Sequence, residues 1–322
     1  MNATASRPAP ALAGSDERDD GDGGDPGQVH SGDTVRGDPD VGDVADVVDT
    51  DRYPIFDPDS PAWRAVVERA RRDLDRAGCS VLAGFVRSNR VELLRRQGAA
   101  VAPRAHAEVA VVNVYNVAAD ADLPAAHPGR IALERGNAFV PRDRIPADHA
   151  IHRLYASPQV QALVAACFGL PAVHPLSDPL SGLCLNVIAP GRSHPWHFDT
   201  NEQAVSLLTQ APEGGGVFEY CPRIRRPGDE NLDAVRGVLT GRRPDLIRRL
   251  VLRPGDLQLF AGRFSLHRVT TVAGHTARHS AIFAYSENPG VVGSPERARQ
   301  LFGRVLPVHR AARSGRRDGL LD

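Results

Sequence analysis

The spacing of apolar positions divides the chain into a helical first part and a strand-rich second part. In the first part apolar residues recur every three or four positions, the spacing typical of helices with one buried face. Asp59 or Ser60 is suited to cap the first helix at its start, and Gly78 to end it. Ser157-Pro158 breaks the last helical stretch in two. The helices are predicted over residues 61–77, 88–97 and 147–167.

Beyond about residue 173 the apolar segments become short and are separated by turn residues, which indicates strands. In residues 182–188 apolar side chains alternate between the two faces of a strand. The glycine-rich turn at 213–216 predicts a hairpin between its flanking strands, and the turn at 273–275 predicts that the strands carrying His267 and Arg278 are neighbours. Strands are predicted at 79–85, 109–117, 182–188, 204–209, 217–220 and 257–260, with one helix among them at 231–239.

Helices that precede a series of strands predict an α+β fold. We expect a double-stranded β-helix, or jelly roll, with the helices packed on its outer face. Residues 124–146 are rich in proline and glycine and are predicted as a long loop that covers the functional site.

Composition separates the two ends from this domain. Residues 1–52 are poor in aliphatic side chains and rich in Gly, Asp and Pro, which predicts a disordered acidic tail. Residues 53–309 are the predicted folded domain, and residues 310–322 a solvated, arginine-rich tail. The formal net charge is +0, yet residues 1–51 contain 13 acidic residues and 3 arginines, so the remainder is net positive. The basic residues are spread out, and we predict no nucleic-acid partner.

The four cysteines show no C-x-x-C spacing and follow no signal peptide, so we expect reduced, buried thiols in a cytoplasmic protein. No apolar run is long enough to predict a membrane partner.

His197 and Asp199 are two residues apart in a predicted strand, so both side chains point to the same side. His267, from a second strand-like segment, supplies a third ligand. Two imidazoles and one carboxylate on one face of an ion are the ligand set of non-haem Fe(II) oxygenases. The sequence therefore predicts an iron site. His106 and Glu108 form a second spaced pair, but they lack a third partner.

Arg278 and Ser280 form another i, i+2 pair, eleven residues beyond His267. The planar guanidinium of Arg278 is suited to hold the far carboxylate of a dicarboxylic cosubstrate through two hydrogen bonds, with the Ser280 hydroxyl assisting.

H-x-D, a distal histidine and R-x-S, in this order, resemble the motifs of the Fe(II)/2-oxoglutarate-dependent dioxygenases. Residues 183–220, 252–285 and 303–307 are similar to a bacterial branch that oxidises free polar amino acids, some of whose members halogenate. The resemblance implies Fe(II) as cofactor, 2-oxoglutarate and O₂ as cosubstrates, and release of succinate and CO₂. Halogenating relatives carry a small residue where this chain has Asp199, so we predict hydroxylation or desaturation.

The substrate is expected to be a free amino acid or a similar small polar metabolite. Polar residues near the predicted metal strand are candidates to contact it, and acidic ones among them would suit a basic amino acid, although turn formation or solvation explains each equally well. The candidates are Asn186, Asn201, Glu202 and Glu219. Two alternatives stay open: an oxygenase of a larger or carrier-tethered substrate, and a non-catalytic jelly-roll binding protein.

Overall fold

The structure is a computed structural model and describes residues 43–311, 320 and 321. Strands and short helices follow one another along this part of the chain. The strands, in chain order, are β1 Cys79–Leu82, β2 Ala110–Val112, β3 Leu133–Arg135, β4 Ala138–Pro141, β5 His174–Pro175, β6 Leu183–Ile188, β7 His194–His197, β8 Ala204–Gln210, β9 Gly214–Gly215, β10 Phe218–Cys221, β11 Arg248–Leu250, β12 Leu257–Phe260, β13 Leu266–Val269, β14 Val272–Ala273, β15 Arg278–Phe283 and β16 Tyr285–Ser286. The α-helices are α1 Val44–Val47, α2 Pro61–Ala77, α3 Val91–Val101, α4 Ala150–Ala156, α5 Pro158–Phe168, α6 Leu232–Leu239, α7 Pro295–Phe302 and α8 Pro307–Ala311. Single turns of 3₁₀-helix lie at Ser88–Arg90, Ala102–Arg104, Pro128–Arg130, Arg142–Arg144 and Pro244–Leu246.

Two antiparallel sheets form the centre of the fold. The major sheet has six strands in the order β1-β12-β8-β15-β6-β4, and the minor sheet has four in the order β11-β10-β13-β7. The strands of each sheet come from distant parts of the chain, so most neighbours are joined by crossovers and not by hairpins.

Helix α2 begins and ends where its sequence predicts. The Ser60 hydroxyl accepts a hydrogen bond from the Trp63 backbone N–H, and Pro61 is the first helical residue, where its missing N–H costs nothing. Gly78 ends the helix in the left-handed conformation, with φ 64°. The predicted apolar face is buried: Val66, Val67, Ala70 and Leu74.

One face of the major sheet packs on helices α2 to α5 and forms the largest apolar core. The residues that point to this face from the central strands include Leu185, Leu207, Leu257 and Phe283, and all are buried. The alternate residues, such as Asn186 and Ser280, point to the other face. Helices on one side and antiparallel strands throughout confirm the predicted α+β jelly-roll fold.

Two predicted strand pairings are wrong. β8 pairs with β12 and β15, and β10 pairs with β11 and β13, so the turn at 213–216 connects the two sheets and does not close a hairpin. The strands of His267 and Arg278, β13 and β15, also belong to different sheets. Turn residues specify a change of direction, whereas the choice of partner depends on contacts that are distant in sequence.

The predicted loop at 124–146 contains two strands, and this correction affects the site. β4 forms the edge of the major sheet beside β6, and β3 pairs with β2. The helix predicted over 88–97 begins as a 3₁₀ turn at Ser88–Arg90 and continues as α3 past Gly98 to Val101, because Gly98 does not adopt the left-handed conformation that ends a helix.

The predicted limit of the N-terminal tail is too far along the chain. Residues 43–52 contain α1, and Val47 and Val48 are buried against the main core, with Val48 bridged to Val86. Residues 1–42 of the predicted tail lie outside the described residues, as do most of the C-terminal arginines. Among the helices that the structure describes, none has the length and apolar character needed to span a bilayer.

Candidate active site

His197 and His267 are direct neighbours across the minor sheet. They are paired residues of the antiparallel strands β7 and β13, so their side chains point to the same side. The two ring centroids are 4.1 Å apart. Residues that are far apart in sequence thus place two imidazoles on one wall of the site.

Asp199 lies two residues beyond His197 and completes the group. Its Oδ1 is 3.7 Å from the Nε2 atom of His197, and its Oδ2 is 3.5 Å from the Nε2 atom of His267. One ligand atom from each residue lies within 4.8 Å of the other two, and across residues 43–311 no other group of this kind is found. The structure brings the three predicted metal ligands together.

Hydrogen bonds to the backbone determine which ring nitrogen of each histidine is free. The Nδ1 atom of His197 is 2.8 Å from the carbonyl oxygen of Pro195, and the Nδ1 atom of His267 is 2.9 Å from that of Ser265. A carbonyl only accepts, so each Nδ1 carries the proton and donates it. Each Nε2 therefore keeps a lone pair directed toward Asp199, which is the tautomer that metal coordination requires.

The electrostatics of the group also favour a bound cation. Burial, and then the neighbouring rings of His194 and His267, hold the pKa of His197 well below its usual value, so this imidazole stays neutral. Burial alone would raise the pKa of Asp199, but His267, His197 and Arg297 lower it to about 2. Neutral imidazoles and an ionised carboxylate are the states in which these groups bind a metal.

Arg278 and Ser280 lie side by side on β15 of the major sheet. Arg278 is 4% exposed, and its Nη1 donates a hydrogen bond of 3.1 Å to the Ser280 hydroxyl oxygen. Burial lowers the pKa of Arg278 to about 10, and no acidic group of the described residues counteracts this. Arg278 also lowers the pKa of His194, whose ring stacks on that of His197 with 3.8 Å between the ring centroids. A buried guanidinium without a carboxylate partner is suited to bind an anion.

Two of the four candidate substrate residues are placed by hydrogen bonds. Asn186 is opposite Ser280 and accepts a hydrogen bond of 3.0 Å from Asn137, so it lines the same side of the major sheet as the guanidinium. Glu219 is not brought to the site. It alternates with Tyr220, the partner of His267, and its carboxylate pairs with Arg249 and Arg268 on the opposite face of the minor sheet.

Asn201 and Glu202 lie in the loop after Asp199 and are half-buried. Glu202 lines a surface cleft together with Arg71 and Arg223, and none of the three metal-group residues borders that cleft. The acidic residues that suggested a basic substrate are thus not gathered around the metal group.

Two arginines, one from β3 in the predicted loop and one from α7, influence the pKa of His194 although no motif indicated them. Arg135 on β3 is 2% exposed; its Nη2 donates to the Gln300 carbonyl oxygen, while its Nε and Nη1 have no partner among the described residues. Arg135 and Arg297 both lower the pKa of His194. A prediction of strand β3 would have identified Arg135 as a candidate residue. The prolines and glycines of residues 124–146 led to the prediction of a loop instead.

His106 and Glu108 form a separate pair with 3.5 Å between Nε2 and Oε2. No third ligand joins them in the described part of the chain.

Comparison with known proteins identifies the family. The family model described as Halogenase D (HalD) matches residues 67–292, which is more than half of the chain. The chain therefore belongs to this family, which is of the Fe(II)/2-oxoglutarate oxygenase type, and the predicted superfamily is confirmed. Fe(II) and 2-oxoglutarate, the predicted cofactors, are confirmed with it, and the donor set of His197, Asp199 and His267 fits such an iron. The narrower assignment to an amino-acid-oxidising branch stays a prediction.

Solved structures give a distant likeness. A 2OG-Fe(II) oxygenase family protein from Burkholderia pseudomallei is 15% identical, with a TM-score of 0.43, covering 70% of this chain and 92% of its own. The α-ketoglutarate-dependent epimerase SnoN of nogalamycin biosynthesis is 15% identical, with a TM-score of 0.48, covering 69% and 81%. A Pseudomonas putida prolyl-4-hydroxylase is 14% identical, with a TM-score of 0.40, covering 67% and 97%. No curated protein matched the chain.

Proposed function

We propose that this protein is a hydroxylase that uses Fe(II) and 2-oxoglutarate to oxidise a C–H bond of a free amino acid or a similar small polar metabolite. The observation that carries the proposal is the carboxylate of Asp199, which faces the Nε2 atoms of both histidines. Halogenation requires a halide beside the metal. Because a carboxylate occupies the third ligand position here, hydroxylation is the reaction that this member of a halogenase family is equipped to perform.

The residues of the chain have separate tasks in this proposal. His197, Asp199 and His267 hold the iron, which, when bound with 2-oxoglutarate, supplies the oxidising power for the reaction. Arg278 holds the far carboxylate of 2-oxoglutarate, and the Ser280 hydroxyl, which accepts from Arg278, is free to donate its own proton to that carboxylate. The protein thereby fixes the orientation of the cosubstrate relative to the metal.

Unsatisfied buried groups support an amino acid as substrate. The Nε and Nη1 donors of Arg135 and the Oδ1 acceptor of Asn137 are buried and have no partner in the described residues. Buried polar groups almost always have partners, so each of these is suited to a ligand. A substrate carboxylate would pair with Arg135, and a substrate ammonium would donate to the Oδ1 atom of Asn137. The side-chain amide nitrogen of Asn137 donates a hydrogen bond to Asn186.

The proposal is tested by binding and turnover under defined conditions. Fe(II) and 2-oxoglutarate are titrated without oxygen, and a panel of free amino acids is then assayed with O₂ for succinate and for a product heavier by one oxygen atom. His197→Ala and His267→Ala should abolish both iron binding and turnover. His275→Ala, at an exposed turn, is the matched control and should change neither.

The same assay separates the competing functions. Succinate formation without oxidation of any free amino acid would favour a larger or carrier-tethered substrate, to be tested next with aminoacylated carrier proteins. A product with one chlorine would show halogenation, and one lacking two hydrogens would show desaturation. Full turnover in the histidine variants would refute the iron site itself.

A further inference from the structure

We propose that Gly262 is a positioning residue for the metal centre, because the carboxylate of Asp199 occupies the space that any side chain at position 262 would fill. The proposal rests on the proposed iron site and adds a residue that has no side chain with which to bind the metal or the cosubstrate. Gly262 lies in the segment between β12 and β13.

The contact between the two residues is close. A Cβ atom added to Gly262 would lie 2.1 Å from Oδ2 of Asp199 and 2.9 Å from both its Cβ and its Cγ. Contacts below 3.0 Å do not occur between real Cβ atoms and their neighbours, so one of the two residues would have to move. Rotation of the Asp199 side chain alone would not relieve the contact with its Cβ, which is fixed by the backbone.

Hydrogen bonds of the two neighbouring residues restrain the backbone around Gly262, so that it has little freedom to move away from Asp199. The Ala261 N–H donates to the carbonyl oxygen of Gly78 at 2.9 Å, and the Arg263 carbonyl accepts from the Arg225 Nε at 2.7 Å. Arg225 and Arg263 are both fully buried. Displacement of this segment would break hydrogen bonds that water cannot replace.

The backbone of Asp199 is held as well. The Phe198 N–H donates to the Val114 carbonyl at 3.2 Å, and the Phe198 carbonyl accepts from the Asn116 side chain at 2.9 Å. The Asp199 N–H donates to the carbonyl of Gly262 itself at 3.3 Å. Two restrained segments thus meet at this point, and the lack of a side chain at position 262 is the condition that lets the carboxylate turn toward both imidazoles.

A methyl group at position 262 should therefore remove Asp199 from the metal without touching either histidine. Loss of even an outer partner of a metal ligand lowers metal affinity by about 10- to 100-fold, so displacement of the ligand itself in Gly262→Ala should weaken Fe(II) binding by at least about 10-fold, as Asp199→Gly does. The effect should vanish when the carboxylate is already absent, because Asp199→Gly removes all three atoms that the methyl group would meet.

The test is a double-mutant cycle with anaerobic Fe(II) binding, without cosubstrate, as the readout. The wild type, Gly262→Ala, Asp199→Gly and the double variant are compared, and circular dichroism and urea unfolding establish that each is folded. Gly214→Ala is the matched control: a Cβ there would meet only Ala273, at an ordinary 3.5 Å. We expect Gly262→Ala to match Asp199→Gly, the double variant to bind no more weakly than Asp199→Gly, and Gly214→Ala to bind like the wild type.

Each other outcome decides the question. Wild-type affinity in Gly262→Ala, or the same fold-loss from the methyl group in both backgrounds, would overturn the positioning role while leaving the iron site intact. If Gly262→Ala does not fold, recovery of folding in the double variant supports the proposal, and failure to recover overturns it. Absence of Fe(II) binding by the wild type would overturn the iron site and this proposal together.

Discussion

Replacement of Arg278 by methionine should make the cofactor-free protein more stable and unable to bind 2-oxoglutarate. Arg278 is 4% exposed, and burial lowers the pKa of its guanidinium to about 10, well below the ordinary value for arginine. At neutral pH the group is charged in the folded and the unfolded protein, but the folded protein holds the proton less tightly. The charge therefore opposes folding at neutral pH, and this opposition fades as pH rises from about 10 toward the ordinary pKa of arginine.

The expected size follows from the pKa. At about 1.4 kcal/mol for each pKa unit, the buried charge destabilises the fold by roughly 3 to 4 kcal/mol. Methionine has a similar length and packs like the arginine stem, whose Cδ lies over Gly216. Loss of the hydrogen bond to Ser280 offsets about 1 kcal/mol. The free energy of unfolding should therefore rise by about 2 to 3 kcal/mol in Arg278→Met.

Urea unfolding of the metal-free protein measures the gain in stability. Thermal melting with and without Fe(II) and 2-oxoglutarate, in the absence of oxygen, measures the loss of 2-oxoglutarate binding. Saturating cosubstrate should raise the melting temperature of the wild type but not of the variant. Arg72→Met, at a side chain that is 71% exposed, is the control and should change stability by less than about 0.5 kcal/mol. A variant that is less stable than the wild type, or that 2-oxoglutarate still stabilises, would refute the reasoning.

Three further predictions concern other parts of the molecule. Asp199→Gly should lower hydroxylation by more than about 100-fold. With chloride added it should yield a chlorinated product, detectable by mass spectrometry, because the third ligand position becomes open to halide; a product free of chlorine would contradict this. His309→Ala should lower the free energy of unfolding in urea by about 3 kcal/mol, because it removes a fully buried ring and its hydrogen bond of 3.2 Å from Nε2 to the Asp178 carboxylate, and leaves the Leu306 N–H without its acceptor; an unchanged midpoint would contradict it. Burial raises the pKa of every thiol to about 12, so native protein at neutral pH should resist iodoacetamide and react only when unfolded; alkylation of the folded protein would refute the burial of these thiols. The four thiols are those of Cys79, Cys167, Cys184 and Cys221.

Features encoded within a few residues could be predicted from the sequence. The cap at Ser60, the left-handed end at Gly78 and the apolar stripe between them depend only on helical geometry, and α2 has the predicted limits. The i, i+2 spacing of His197 and Asp199 likewise places both side chains on one side of an extended segment, whichever strands lie beside it. Such features need no knowledge of which strands are neighbours.

Only the tertiary structure decided which distant segments meet. The pairing of His267 with His197, the separation of β13 from β15, the outward position of Glu219 and the approach of Arg135 all follow from strand partners chosen across the fold. The close contact between Gly262 and Asp199 likewise depends on the tertiary structure. A glycine has no side chain, so no pattern of apolar and polar positions could have predicted this contact. Local periodicity specifies the direction of each side chain, but the free energy that selects strand partners comes from burial and hydrogen bonding summed over the whole core.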